Sequence, residues 1–192
     1  MSHFFAHLAR MKLIYRWPLM RNVTHENIAE HSLQVAMVAH GLAMIGNTYY
    51  GKSYDPDKAA SMALFHDTTE VLTGDLPTPV KYYNKAIIRE YNKIELAAEK
   101  TLLDMLPAEL RDAYKPLLST PDLDPVYKTL VKDADILCAH MKCIEEESCG
   151  NHEFAKAKIR CQTALDERMT DEIRYFIDVF LPSIGQPFDD MD

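Results

Sequence analysis

The chain has 192 residues, enough for one domain spanning 1–192 that buries a sizeable core without disulfide staples. Hydrophobic residues make up 47% and charged residues 26%, and the 6 glycines are too few for a strand-and-turn architecture. A formal net charge of −8 excludes a broad basic face for polymeric nucleic acid, so any phosphate must be held by a locally concentrated metal or arginine.

The segment from Met1 to Ile14 mixes His3, His7, Arg10 and Lys12 with apolar residues. It lacks an apolar h-region and a small-residue cleavage site, so no signal peptide is expected. Ser2 is positioned to cap a first helix running toward Ile14, which the Trp17-Pro18 step should end. Asn27 followed by Glu30 reads as a capping box. Behind it His31, Val35, Val38, Leu42 and Ile45 trace one helical face. Asp55-Pro56 is a cap with a proline at the first helical position, and the helix it starts sets Ala59, Met62, Ala63 and His66 on one side.

Gly74 should stop that segment, and Asp75-Leu76-Pro77-Thr78-Pro79 reads as an ordered, non-helical loop because of its prolines. A long helix is expected over Lys85 to Met105, with Arg89, Glu90, Lys93, Glu95, Glu99 and Lys100 exposed. Pro107, Pro116 and Pro121 should cut the next region into short pieces. Asp124-Pro125 opens another helix with Leu130, Ala134, Leu137, Met141 and Ile144 along one face, ended by Gly150-Asn151. Two further helices fit His152 to Arg168 and Thr170 to Leu181, and a tail follows from Pro182. No apolar run approaches the ~20 residues that span a bilayer. The cysteines Cys138, Cys143, Cys149 and Cys161 form no CxxC pair, and Cys138 and Cys143, in a helical stretch, read as reduced thiols, which fits the cytoplasm. The predicted fold class is all-α, a helical bundle.

Four potential metal ligands fall on three different helices: His31, the adjacent pair His66-Asp67, and Asp135. Each lies on or beside an apolar face, where an unpaired imidazole or carboxylate is costly and a shared divalent cation removes that cost. Two imidazoles and two carboxylates suit Mn, Co, Fe, Ni or Zn rather than a thiol-loving metal. Four protein ligands on a six-coordinate ion leave two positions open, as a hydrolase requires. Taken singly, each residue has a plainer reading. His31 or His40 would be a hydrogen-bonded core histidine, and Asp135 would pair with Lys132 or Lys142. Glu70 lies one helical turn after Asp67, where a general acid or base belongs; otherwise it is a solvated helix-end carboxylate. Arg16 offers a planar fork for phosphate oxygens, with Arg21 as a second cation. Trp17, the sole Trp, either shapes the pocket or anchors the first helix in the core. The Tyr82-Tyr83 pair is equally suited to stacking and to surface packing.

The order H…HD…D on a helical chain resembles the HD-domain phosphohydrolases. Four stretches bring it closest to their bacterial 5′-deoxynucleotidase branch: HFFAHLARMKLIYRWPLMRNV, ENIAEHSLQVAMVAH, FHDTTEVLTGDLPTPVKY and LVKDADILCAHMKCIEE. After HD that family usually reads Ala-Ser-Glu; here it is Thr68-Thr69-Glu70, with the carboxylate kept in register. The resemblance implies an HD-domain helical bundle, a homodimer, and one divalent transition metal per chain on His31, His66, Asp67 and Asp135. Cobalt is favoured and manganese or copper accepted. It implies removal of the 5′-phosphate from deoxyribonucleoside monophosphates, with ribonucleotides and 3′-phosphates refused. Arg16, Glu70 and Asp75 would carry catalysis. Arg16, Trp17, His31, Asp67, Asp75, Leu76, Pro77 and Thr78 would contact substrate, with Asp75 facing the sugar. Two competing expectations are an HD phosphodiesterase, which would need extra ligands although His25, His40, His140 and His152 show no such pattern beyond His40 sharing nearly the face of His31, and a non-catalytic nucleotide-binding module.

Overall fold

The computed structural model describes residues 1–191. In chain order the helices are α1 (Phe4–Leu8), α2 (Ile28–Tyr49), α3 (Pro56–Phe65), α4 (Glu70–Thr73) and α5 (Thr78–Lys81), then α6 (Lys85–Met105), α7 (Ala108–Leu118), α8 (Pro125–Ser148), α9 (Ala155–Glu167) and α10 (Asp171–Val179). Short 3-10 turns fill some of the gaps. No strand occurs among the described residues; an isolated antiparallel bridge joins Tyr15 to Asn27. Among the described residues no helix is long and apolar enough to cross a membrane.

Local chemistry sets the boundaries of the central helices. At α2 the Asn27 Oδ1 accepts from the backbone N–H groups of Ala29 and Glu30 at 3.0 Å, and the Glu30 carboxylate returns a bond to Asn27 N at 3.3 Å. That is the expected capping box. Asp55 accepts from Lys58 N at 3.1 Å to open α3, and Asp124 from Val126 N at 3.0 Å to open α8, each with proline following. α6 spans the expected residues to both ends.

The main core forms where α2, α3 and α8 pack together, with Leu165 of α9 and Ile173 of α10 closing it. The predicted α2 face is buried throughout: His31, Val35 and Leu42 are inaccessible, and Val38 and Ile45 nearly so. Each such aliphatic side chain contributes about 1.5–3 kcal/mol of burial. A charge at Val35 would therefore unseat α2 from both neighbours. Gly46 allows a close approach on this helix, since a Cβ there would meet Tyr54 at 2.8 Å. A second cluster (Phe4, Leu102, Leu106, Leu118) docks α1 on α6 and α7, and a third (Cys143, Phe154, Ala157) receives Trp17 and Met20.

Four expectations are corrected. The first helix is only Phe4–Leu8, followed by a 3-10 turn at Met11–Leu13, and its cap residue is His3. The Ser2 hydroxyl instead donates to Met105 O at 2.6 Å, tethering the N-terminus to the end of α6. The proline-rich loop gives way to helix at Thr78, with Pro79 inside the first turn of α5, where its missing N–H would have had no partner. Pro116 does not break α7; it sits near the C-terminal end, where one lost hydrogen bond is tolerated. Glu99 is buried rather than exposed, because it receives the Thr120 backbone N–H at 2.9 Å.

Candidate active site

The candidate metal-ligating side chains meet because three helices present them to one point. His31 lies in the first turn of α2, Asp135 midway along α8, and His66-Asp67 where α3 ends. The break after Phe65 is what allows neighbours to converge, since on a continuing helix their side chains would diverge by ~100°. Here His66 N bonds back to Ala63 O at 3.3 Å and the chain turns, bringing Asp67 Oδ2 to 3.1 Å from His66 Nε2. One ligand atom each from His31, His66 and Asp67 lies within 4.8 Å of the others. Asp135 Oδ1 is 3.1 Å from His31 Nε2, and Asp67 Oδ2 is 3.7 Å from the same nitrogen.

These separations fit one cation, because two ligands at ~2.1 Å from an ion and at right angles stand ~3 Å apart. The donor chemistry agrees. His66 Nδ1 donates to Ala63 O at 2.7 Å, which fixes the ring orientation and turns Nε2 toward Asp67. That Nε2 is buried without a hydrogen-bond partner. The site thus contains a buried imidazole nitrogen beside a carboxylate, a pair that one cation would satisfy together.

Arg16 and Glu26 form the wall behind His31. Arg16 Nη1 lies 2.7 Å from both Glu26 Oε2 and His31 Nδ1, and Nη2 is 3.9 Å from Asp135 Oδ1. An arginine only donates, so in this arrangement His31 Nδ1 accepts and Nε2–H faces Asp135. The other tautomer would free Nε2 for a cation, with Glu26 Oε1 standing 3.8 Å from Nδ1. Asp135 also pairs through Oδ2 with Lys132 Nζ at 2.7 Å, the expected ion pair, while its Oδ1 faces His31.

The charges set the proton inventory. Burial opposes ionisation of Asp67, but the adjacent His66 outweighs it and holds the carboxylate at about 2. Asp135 is likewise held well below its ordinary value, burial being overcome by Lys132 and His31. His31 is lowered by burial and by Arg16. Glu70 moves the other way: burial, then the neighbouring Asp67 and Asp75, push it up to about 10. Its Oε2 is buried without a partner. Burial also raises Asp75.

Two cavities flank the cluster. The larger, about 490 Å³, has His66, Asp67 and Asp135 on its wall together with Lys81 and Lys132. The smaller, about 130 Å³, brings together Arg16, Trp17, Asp75, Pro77 and Thr78, and adds Arg160 from α9. Leu76 and Glu70 line neither. Trp17 has φ +59°, and no other residue except glycine has a positive φ among the described residues. Strain of this kind persists only where surroundings over-determine it. Here Phe154 packs on the indole with ring centroids 5.3 Å apart, and buried Glu146 accepts from Val23 N at 2.8 Å and Thr24 N at 3.1 Å, pinning the loop. Trp17 therefore anchors and lines the cavity at once.

Other expected residues lie elsewhere. His40 is half exposed, 4.0 Å from Asp57, and His25 stacks on Tyr15, so neither extends the ligand cluster to a second metal. Arg21 is exposed and bound to Glu153 at 2.7 Å, and Tyr82 and Tyr83 are exposed. Glu26 and Arg160 were not singled out from the sequence. Glu26 precedes the α2 cap with no distinguishing pattern, and Arg160 is one of several charges on an amphipathic helix.

The comparisons with known proteins agree with this geometry. A family model described as 5′-deoxynucleotidase YfbR-like matches residues 3–184. A 5′-deoxynucleotidase of Vibrio cholerae is 57% identical over 99% of this chain and 98% of its own. The 5′-deoxynucleotidase YfbR of Escherichia coli is 53% identical over 99% and 96%. Among solved structures, an HD-domain phosphohydrolase from Listeria innocua superposes with a TM-score of 0.83 at 23% identity, covering 95% of this chain and 88% of that one. The cyanophage S-2L HD phosphohydrolase DatZ, bound to dA and one catalytic zinc ion, gives 0.62 at 20% identity, covering 93% and 96%. The chain belongs to the YfbR-like 5′-deoxynucleotidase family of HD-domain phosphohydrolases.

Proposed function

We propose that this protein is a metal-dependent 5′-deoxynucleotidase, converting deoxyribonucleoside 5′-monophosphates to deoxynucleoside and phosphate. The observation that carries this reading is the convergence of His31, His66, Asp67 and Asp135 beside the guanidinium of Arg16. Those four side chains would hold one divalent transition metal, cobalt by preference, with manganese or copper accepted. Bound there, it supplies positive charge for phosphoryl oxygens and lowers the pKa of water.

The protein's own groups account for the rest. Arg16 stays charged and neutralises the negative charge that develops on the phosphoryl oxygens. His31 and Asp67 border the phosphate as well as the metal. Water attacks phosphorus, the bond to O5′ breaks, and the departing oxygen needs a proton. Glu70 retains one at neutral pH and is the donor, while Asp75 faces the sugar and disfavours a 2′-hydroxyl. Trp17, Leu76, Pro77 and Thr78 border the sugar and base. Each chain acts as one domain over 1–192, in the cytoplasm and as a homodimer. Its substrates are mononucleotides, not polymeric nucleic acid, in keeping with a net charge of −8.

Phosphate release from dAMP and AMP, with Co²⁺, Mn²⁺ or EDTA and beside an Asp67→Ala variant, tests this reading. Metal-dependent release favouring dAMP and absent in the variant is expected. Release from neither substrate with any metal would leave a nucleotide-binding module instead. Light scattering gives the oligomeric state.

A further inference from the structure

We infer that Arg160 is a nucleobase-recognition residue, donating from its guanidinium to acceptor atoms of the base. The inference rests on the deoxynucleotidase reading and deepens it. The smaller cavity has the wall composition of a nucleoside site: Trp17, Leu19, Met20, Pro77 and Pro79 are apolar, with Arg16, Asp75, Thr78 and Arg160 as its polar members. The first two charges are committed. Arg16 is bonded to Glu26 and His31, and Asp75 faces the Trp17 backbone N–H. Arg160 is exposed and has no hydrogen-bond or ion-pair partner among the described residues.

Its place in the fold assigns it to the base rather than the phosphate. Arg16 is the arginine whose charge acts on His31, Glu70 and Asp75. Arg160 comes from α9, next to Cys161, which packs with Trp17 and Met20 on the Cys143–Phe154 cluster. The two arginines thus reach the same cavity from different elements: Arg16 is bonded to His31 of the candidate ligand cluster, and Arg160 arrives from α9 with no bond to that cluster. A substrate with its phosphate at Arg16 and its sugar at Asp75 extends its base toward Arg160. A guanidinium offers five N–H donors in one plane. Purines and pyrimidines all carry ring-nitrogen or carbonyl acceptors, so such a contact favours a base without demanding one base.

The test compares dAMP and dTMP with 2-deoxyribose 5-phosphate, which carries the phosphate and sugar but no base, in wild-type, Arg160→Ala and Arg160→Lys holoenzymes. Expected for Arg160→Ala is a KM raised about five- to tenfold for both nucleotides with kcat within twofold, and no change for 2-deoxyribose 5-phosphate. Arg160→Lys, a point charge without the fork, should fall between. An equal loss on the baseless substrate would place Arg160 at the phosphate and overturn the inference, as would unchanged KM on all three. Because Arg160 is exposed, an unchanged thermal midpoint is expected and separates contact from misfolding. Wild-type inactivity on every substrate would instead refute the deoxynucleotidase reading itself.

Discussion

Replacing Glu70 with glutamine should stabilise the protein by an amount that grows with pH. In the fold Glu70 titrates at about 10 against an ordinary 4.5, first because it is buried and then because Asp67 and Asp75 face it. Between those two values the folded chain binds a proton there that the unfolded chain has lost. Stability therefore falls as pH rises through this window, by about 1.4 kcal/mol per unit. At pH 7, about 2.5 units above the unfolded value, the cost is about 3 kcal/mol, a large share of a typical total. Glutamine has nothing to titrate and escapes the slope. Urea unfolding of both proteins in EDTA, so that no cation competes for the cluster, reads the effect at pH 5, 6, 7 and 8. The difference between variant and parent should widen by about 4 kcal/mol across that range. Other titrating groups, His31 and His66 among them, largely cancel in the difference. A constant difference would mean that Glu70 is ionised in the fold, and the proton-donor role assigned to it would fall. The variant should also lose activity on loading with metal, by about 100-fold or more.

Glu26→Gln should lower kcat by about tenfold while leaving metal affinity within a few-fold, because Arg16 loses its 2.7 Å partner; steady-state kinetics beside metal titration checks this. Equal loss of metal would mean that Glu26 acts through His31 instead. Asp75→Asn should narrow the preference for dAMP over AMP, read as the ratio of their kcat/KM values; an unchanged ratio would remove Asp75 from sugar selection. Glu146→Ala should cost about 3–5 kcal/mol, since it strands buried Lys142 and releases the Val23 and Thr24 backbone donors; thermal unfolding measures it, with the Trp17 fluorescence reporting the loosened loop.

Much of this protein follows from local rules. The capping box at Asn27, the proline starts after Asp55 and Asp124, and the 3.6-residue periodicity of α2 and α8 each concern neighbours within a few positions. The sequence alone therefore determined an all-α chain and the helices that carry His31, His66-Asp67 and Asp135, and the motif order indicated which side chains belong together. Tertiary structure decided what depends on distance across the chain. No periodic signal links Glu26 to the candidate ligand cluster; it is defined by its bond to Arg16 and its place 3.8 Å from His31. Glu99 looks like a solvated helix charge until Thr120 meets it from 21 residues away. The Trp17 turn is held at a strained φ by Phe154 and Glu146, both more than a hundred positions distant. Glu70 becomes an acid rather than a carboxylate because packing removes its water and sets two carboxylates beside it, a sum of long-range fields that residue order does not encode.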